Sequence, residues 1–200
     1  MKIGIYGGTF DPPHNGHVHA CRAFYNAFDM DKLFVIPNAI PPHKERHSKT
    51  TNEHRLEMTR LAFEGIGDKI EVSDIELKRA GKSYTKYTIE HFVDCGADEI
   101  LLLCGTDMFV TFDEWYDFEY IFKNATIVCI RREDDKSLGD LILEKYEQYK
   151  RLYDAKIEFI NVEAIEASSS EIRGSIDSQK AKELLPKAVF DFIIEKGLYR

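Results

Sequence analysis

The chain has 200 residues, with 27 basic and 35 acidic side chains and a formal net charge of −8 at pH 7. That acidic balance excludes nonspecific nucleic-acid binding, which needs a broad basic surface. Any phosphate ligand must be held by local donors against the overall field. An apolar content of 44% over this length is enough for one domain with a sizeable core.

The four cysteines, Cys21, Cys95, Cys104 and Cys129, are widely spaced and form no Cys-x-x-Cys. The expectation is free thiols in a reducing cytoplasm, with Cys104 and Cys129 buried in apolar runs. Met1 leads directly into an apolar strand and no apolar run approaches membrane length. No signal peptide and no membrane contact are expected.

The first predicted strand, Lys2–Gly7, runs into Gly7-Gly8-Thr9-Phe10-Asp11-Pro12-Pro13-His14-Asn15-Gly16-His17, and a helix is predicted over Gly16–Phe28. Glycines let backbone N–H groups approach phosphate oxygens closely. A helix N-terminus favours anions through its unpaired N–H groups and its dipole. His14 and His17, at i and i+3, project the same way along a helix and add two donors. His19 points elsewhere and reads as packing or surface. The segment is neither a Walker A loop nor a dinucleotide fingerprint, because it lacks Gly-Lys-Ser/Thr and the third glycine.

Further strands are predicted at Lys32–Pro37, Lys69–Ser73, Glu99–Cys104, Ala125–Arg131 and Lys156–Val162. Helical patterns fall at Asn52–Glu64, Tyr87–Cys95 and Gly139–Tyr153, with one closing amphipathic helix over Ala181–Gly197. This alternation argues for an α/β fold: a Rossmann-like parallel sheet with helices packed on it. Residues 1–200 are expected to form one domain whose last part, from about residue 165, is helical. Ligands of such sheets bind beyond the carboxyl ends of the strands, so segments just after strands carry the candidates.

After the second strand comes Pro37-Asn38-Ala39-Ile40-Pro41-Pro42-His43-Lys44. Lys44 reads as a solvated loop lysine or, on a proline-stiffened loop, as a phosphate contact. His43, His47 and His54 lack metal-ligand spacing. In Ser83-Tyr84-Thr85 a hydroxyl and backbone donors suit a carboxylate, while Tyr84 packs. After the fourth strand, Asp107 in Gly105-Thr106-Asp107 reads as a helix N-cap or a ribose acceptor. Trp115, the sole tryptophan, reads as core or as a face for a flat cationic ring; Tyr116 follows it. Arg131-Arg132 is a surface pair, or one of the two binds a substrate phosphate. Ser168-Ser169-Ser170-Glu171-Ile172-Arg173 reads as a helix cap or as a second phosphate site closed by the Arg173 fork.

Gly8–His17 resembles the HxGH signature of the nucleotidyltransferase superfamily in its Gly-Thr-Phe-Asp-Pro-x-His-x-Gly-His form, and the match is complete. The Pro-Pro-His-Lys loop, Asp74-Ile75-Glu76-Leu77 before Ser83-Tyr84-Thr85, Gly105-x-Asp107 with Trp115, and Ser168–Arg173 follow in order. Together they resemble the bacterial nicotinate mononucleotide adenylyltransferases over nearly the whole chain. Departures are Thr106 for the usual Ala, Arg132 for Pro, Ala167 for Ile and Ser170 for Thr.

The resemblance implies the nucleotidyltransferase fold and transfer of the adenylyl group of ATP to nicotinate mononucleotide. It implies ATP contacts at Gly7, Gly8, Thr9, Phe10, His14, Gly16, His17, Gly105, Asp107, Ser168, Ser169, Ser170 and Arg173. It implies acceptor contacts at Asn38, Lys44, Thr85, Trp115, Tyr116 and Arg132, with His14, His17, Lys44 and Arg173 as the catalytic set. Mg²⁺ is expected on the ATP phosphates, with no metal site made by protein side chains. A homo-oligomer is left open. Other acceptors of the superfamily, nicotinamide mononucleotide or phosphopantetheine, and a noncatalytic nucleotide sensor stand as alternatives.

Overall fold

The computed structural model describes residues 1–40, 50–79, 81–132, 139–163 and 165–200. Six strands form one parallel sheet: β1 (Lys2–Gly8), β2 (Lys32–Pro37), β3 (Ile70–Val72), β4 (Glu99–Gly105), β5 (Thr126–Arg132) and β6 (Ile157–Val162). Their order is β3-β2-β1-β4-β5-β6. In chain order the α-helices among the described residues are α1 (Asn15–Ala27), α2 (Asn52–Phe63), α3 (Ile75–Lys78), α4 (Thr85–Asp94) and α5 (Thr106–Val110). They continue with α6 (Phe118–Asn124), α7 (Gly139–Tyr153), α8 (Ser169–Gly174), α9 (Gln179–Leu184) and α10 (Lys187–Lys196).

Strand residues alternate between two cores, as the period of two requires. Leu33, Val35, Leu101, Leu103, Val128 and Ile130 face a cluster shared with Phe24 of α1, Met58 of α2 and Val189 of α10. Ile3, Ile5, Phe34, Ile36, Leu102 and Ile127 face the other, with Ile89 of α4, Phe109 of α5 and Tyr149 of α7. A sheet covered on both faces has hydrophobic strands throughout, which is why these segments read as apolar runs. The chain runs β1, β2, β3 outward, then returns to lay β4 on the other side of β1. That reversal opens a crevice at the carboxyl ends of β1 and β4.

The predicted α/β class and its six strands hold, with ends shifted by a residue or so. Two helices differ from expectation. α4 starts at Thr85, so Thr85 lies in a first helical turn. The closing helix is two helices, broken where Leu185 turns extended (ψ 145°) ahead of Pro186. Proline lacks the N–H needed to continue a helix and pushes the preceding residue out of the α region. The short helices α3, α5 and α6 show too few turns for a periodic signal.

Gly4 of β1 packs closely under Met30, Leu33 and Phe24. A Cβ there would collide with Met30 Sδ, lie 2.9 Å from Leu33 Cδ1 and 3.1 Å from Phe24 Cε1. Gly4→Val should therefore lower stability by about 1–3 kcal/mol, read as a lower urea midpoint at unchanged m-value.

Candidate active site

Past β1 the backbone turns sharply. Phe10 takes a left-handed conformation (φ 48°) and buries its ring. That ring folds back under Gly8, where a Cβ would lie 2.7 Å from Phe10 Cζ. Edge contacts to Tyr6 (5.4 Å), His17 (5.2 Å) and Phe63 (5.5 Å) hold it. Gly7 has open space where its Cβ would be, so the turn presents backbone there.

His14 is the N-cap of α1. Its backbone N–H donates to Nδ1 of His17 (3.1 Å), and the His17 N–H donates to the His14 carbonyl (2.9 Å). The two imidazoles lie 3.7 Å apart at 30°. An Nδ1 that accepts carries no proton, so His17 is held as the neutral tautomer with its donor at Nε2. The first turn of α1 contains no acidic residue. Gly16 keeps the approach to the His14 ring clear: a Cβ would sit 3.1 Å from it.

Two sets of contacts anchor this turn. From the C-terminal side, Ser169 Oγ donates to the Pro12 carbonyl (2.9 Å), and Arg173 Nη1 donates to the Asp11 carbonyl (2.6 Å). Arg173 Nη2 also donates to Ser170 Oγ (3.0 Å), and Tyr199 Oη donates to Asp11 Oδ1 (2.7 Å). Ser168 is the N-cap of α8. The predicted second wall thus reaches the first, with part of the Arg173 fork engaged on the protein itself. From the other side, the fully buried Arg55 donates from Nη1 to the Thr9 carbonyl (2.7 Å). Its Nη2 reaches Asn52 Oδ1 (2.7 Å) and the Ala39 carbonyl (3.5 Å). One guanidinium therefore ties the exit of β1 to that of β2.

Beside the turn lies a cavity of about 150 Å³, lined by Gly7, Gly8, Thr9, Asn38, Thr85, Trp115 and Tyr116 among the residues singled out in the sequence. Trp115 stacks on Phe112 (4.5 Å, 11°), and Tyr116, half exposed, lies 4.7 Å from the Tyr84 ring. Asn38 Nδ2 donates to Thr9 Oγ1 (3.3 Å), while its buried Oδ1 accepts nothing from the described residues. Thr85 opens α4, whose amide ends suit an anion.

Glu76, Ser83 and Thr88 also line the cavity and are buried. Thr88 Oγ1 donates to Glu76 Oε1 (2.6 Å), and Ser83 Oγ accepts from the Ala39 N–H (2.8 Å). With its O–H turned to Glu76, the Ser83 hydroxyl serves the protein's own carboxylate. Burial pushes the Glu76 carboxyl above the ordinary range, against the lowering effect of the Thr88 and Ser83 hydroxyls and Arg79.

His14, Gly16, His17, Gly105, Asp107, Ser168, Ser169, Ser170 and Arg173 lie outside this cavity's lining. Gly105 caps α5, so Asp107 is its second residue and not the N-cap. A Gly105 Cβ would lie 2.9 Å from Asp107 Oδ1. Lys44 falls outside the described residues, as does the side chain of Arg132, whose backbone ends β5. Arg131 lies 5.8 Å over the Phe159 ring. Among the described residues no group of three or more His, Cys, Asp or Glu is placed to hold a metal, and no helix is long and apolar enough to cross a membrane.

Arg55, Thr88 and Tyr199 went unread in the sequence, and Glu76 was read only as part of the Asp74–Leu77 motif, with no role of its own. Only Glu76 carried a signal, as a carboxylate just past a strand; Arg55 looks like any polar residue of a helix. For Glu76 the folded-state pKa is raised, so its contribution to stability is full below the ordinary Glu value of 4.5 and is lost as pH rises through the raised value. Glu76→Gln keeps the acceptor for Thr88 and removes the charge. Its stability relative to the wild type should improve as pH rises from the ordinary Glu value to the raised one and level off above it, measured by urea unfolding across pH 4–8.

A family model described as cytidylyltransferase-like matches residues 5–175. A relative from Clostridium tetani, named "Probable nicotinate-nucleotide adenylyltransferase", is 35% identical over 100% of this chain and 99% of its own. One of the same name from Dictyoglomus thermophilum is 37% identical over 100% of both chains. A similar fold occurs in the solved structure of Plasmodium falciparum nicotinic acid mononucleotide adenylyltransferase complexed with NaAD, with TM-score 0.78 and 22% identity over 99% of this chain and 97% of that one. With end-to-end similarity above 30% and a turn built as just described, this chain belongs to the nicotinate-nucleotide adenylyltransferase family.

Proposed function

We propose that this chain transfers the adenylyl group of ATP to nicotinate mononucleotide, giving nicotinate adenine dinucleotide (deamido-NAD) and pyrophosphate, in NAD biosynthesis. The observation that carries this reading is that the Gly7–Thr9 turn walls a cavity holding an indole and a helix N-terminus, and runs on through Phe10–Pro13 into the His14–His17 pair at the start of α1.

The triphosphate takes the first side, against the Gly7–Phe10 backbone, Thr9, His14, Gly16 and His17. Gly105 and Asp107 take the adenosine end, and Ser168, Ser169, Ser170 and Arg173 the leaving pyrophosphate. The acceptor takes the cavity: its pyridinium ring stacks on Trp115 beside Tyr116, and its carboxylate meets the Thr85 end of α4. Asn38 Oδ1 takes a donor of the acceptor. Lys44 and Arg132 contact its phosphate on the strength of the family resemblance.

A phosphate oxygen of the mononucleotide attacks the α-phosphorus of ATP. A new P–O bond forms, the α–β bridge breaks, and pyrophosphate leaves with the electron pair. That nucleophile is already anionic, so no protein base is needed. Catalysis is positioning plus stabilisation of charge on the α-phosphate and the leaving group. The neutral His17 suits this work, because it donates from Nε2 without a proton transfer. Thr9 Oγ1, His17 Nε2 and the backbone N–H groups of the turn offer donors, which fit phosphate oxygens. Mg²⁺ would be carried by the ATP phosphates and water, and when bound would supply neutralisation of their charge. The enzyme works in the cytoplasm on small nucleotides.

Pyrophosphate release with ATP should be seen with nicotinate mononucleotide and be much weaker with nicotinamide mononucleotide or phosphopantetheine. Turnover only with phosphopantetheine, or with no acceptor, would overturn the reading. His17→Ala should lower kcat by about 10²–10³ with little change in KM.

A further inference from the structure

We propose that Tyr199 is a positioning residue for adenylyl transfer: its hydroxyl holds the Asp11 carboxylate, and so keeps the Asp11 carbonyl on Arg173 and the guanidinium aimed at the leaving pyrophosphate. This rests on the role given to Arg173 above. The tail is built to deliver that hydroxyl. Gly197 takes a left-handed conformation (φ 61°), with its N–H on the Ile194 carbonyl (3.2 Å) and the Leu198 N–H on that of Ile193 (3.0 Å). Tyr199 is left-handed as well (φ 65°), which costs energy for a residue with a Cβ. The ring then reaches 188 positions back along the chain to Asp11 Oδ1, 2.7 Å away.

Asp11 is 5% exposed and is the last residue before two prolines. Neither proline has an N–H, so Asp11 and the Pro12 carbonyl are the handles by which this stretch is gripped. Ser169 takes the Pro12 carbonyl at 2.9 Å, and Arg173 takes the Asp11 carbonyl at 2.6 Å. Tyr199 takes the carboxylate. Burial and the nearby Asp11 charge push the Tyr199 hydroxyl above its ordinary range, so it stays a donor. A satisfied carboxylate does not compete for the neighbouring guanidinium. Without the hydroxyl, Asp11 would draw Arg173 from the carbonyl to its own charge, and away from phosphate.

The test is a double-mutant cycle of Tyr199→Phe and Arg173→Ala, with Arg173→Lys used in place of Ala should that variant not fold. Phenylalanine keeps the packing and deletes only the hydroxyl. Tyr199→Phe should lower kcat about tenfold, the value of one hydrogen bond to a charged group. KM for the mononucleotide should stay the same, and Tm should fall by no more than about 5 °C. In the Arg173 variant the same substitution should have no further effect on kcat. Titration with inorganic pyrophosphate reads the coupling without turnover: affinity should fall about tenfold in Tyr199→Phe and fall no further when Arg173 is already altered. Equal losses in both backgrounds, or full activity and affinity in Tyr199→Phe, would overturn the proposal. A wild type that transfers nothing but shows the affinity coupling would overturn the proposed function and the role in transfer with it, leaving only a Tyr199–Arg173 coupling in pyrophosphate binding.

Discussion

The hydrogen bond from the His14 amide to Nδ1 of His17 is the contact on which the chemistry of this molecule turns. It caps α1 with a side chain from the helix's own first turn. It also sets the proton of His17 on Nε2 and keeps the ring neutral. A neutral donor at a helix N-terminus adds to the positive end of the dipole and needs no counter-charge when no ligand is bound. The doubly wound sheet exists, in functional terms, to put that helix end beside the exit of β1, where the strand order reverses.

The turn gains its rigidity from long-range contacts. Arg55 is buried where an arginine is seldom found, and its donors are spent on the carbonyls of Thr9 and Ala39 and on Asn52. The Gly7–Thr9 turn and the segment after β2 are thus joined through one planar group. Ser83, accepting from the Ala39 N–H, and Thr88, donating to Glu76, continue this framework toward α4. Catalysis by positioning needs both substrates fixed relative to each other. On the proposed reading, a turn braced from behind serves that need.

Much of the fold and half of the site were readable in the chain. Strands buried on both faces are continuous apolar runs, so β1, β2, β4 and β5 stood out. The Gly8–His17 motif and Ser169–Arg173 are local patterns, and the structure brings the two together through the Pro12 and Asp11 carbonyls. Thr85, Trp115 and Tyr116 do meet in one cavity. Contacts with large sequence separation left no local trace. Arg55 is 46 positions from Thr9, and Tyr199 is 188 from Asp11; each looks ordinary among its neighbours. The break at Pro186 was present in the sequence, but the apolar periodicity on both sides of it concealed the end of α9.

The most direct measurement is the ¹⁵N NMR spectrum of the His17 ring at neutral pH, with ATP bound and no acceptor present. We expect an unprotonated Nδ1 and a protonated Nε2, a state that persists when ATP binds. A proton on Nδ1, or two equally protonated nitrogens in the ATP complex, would contradict it.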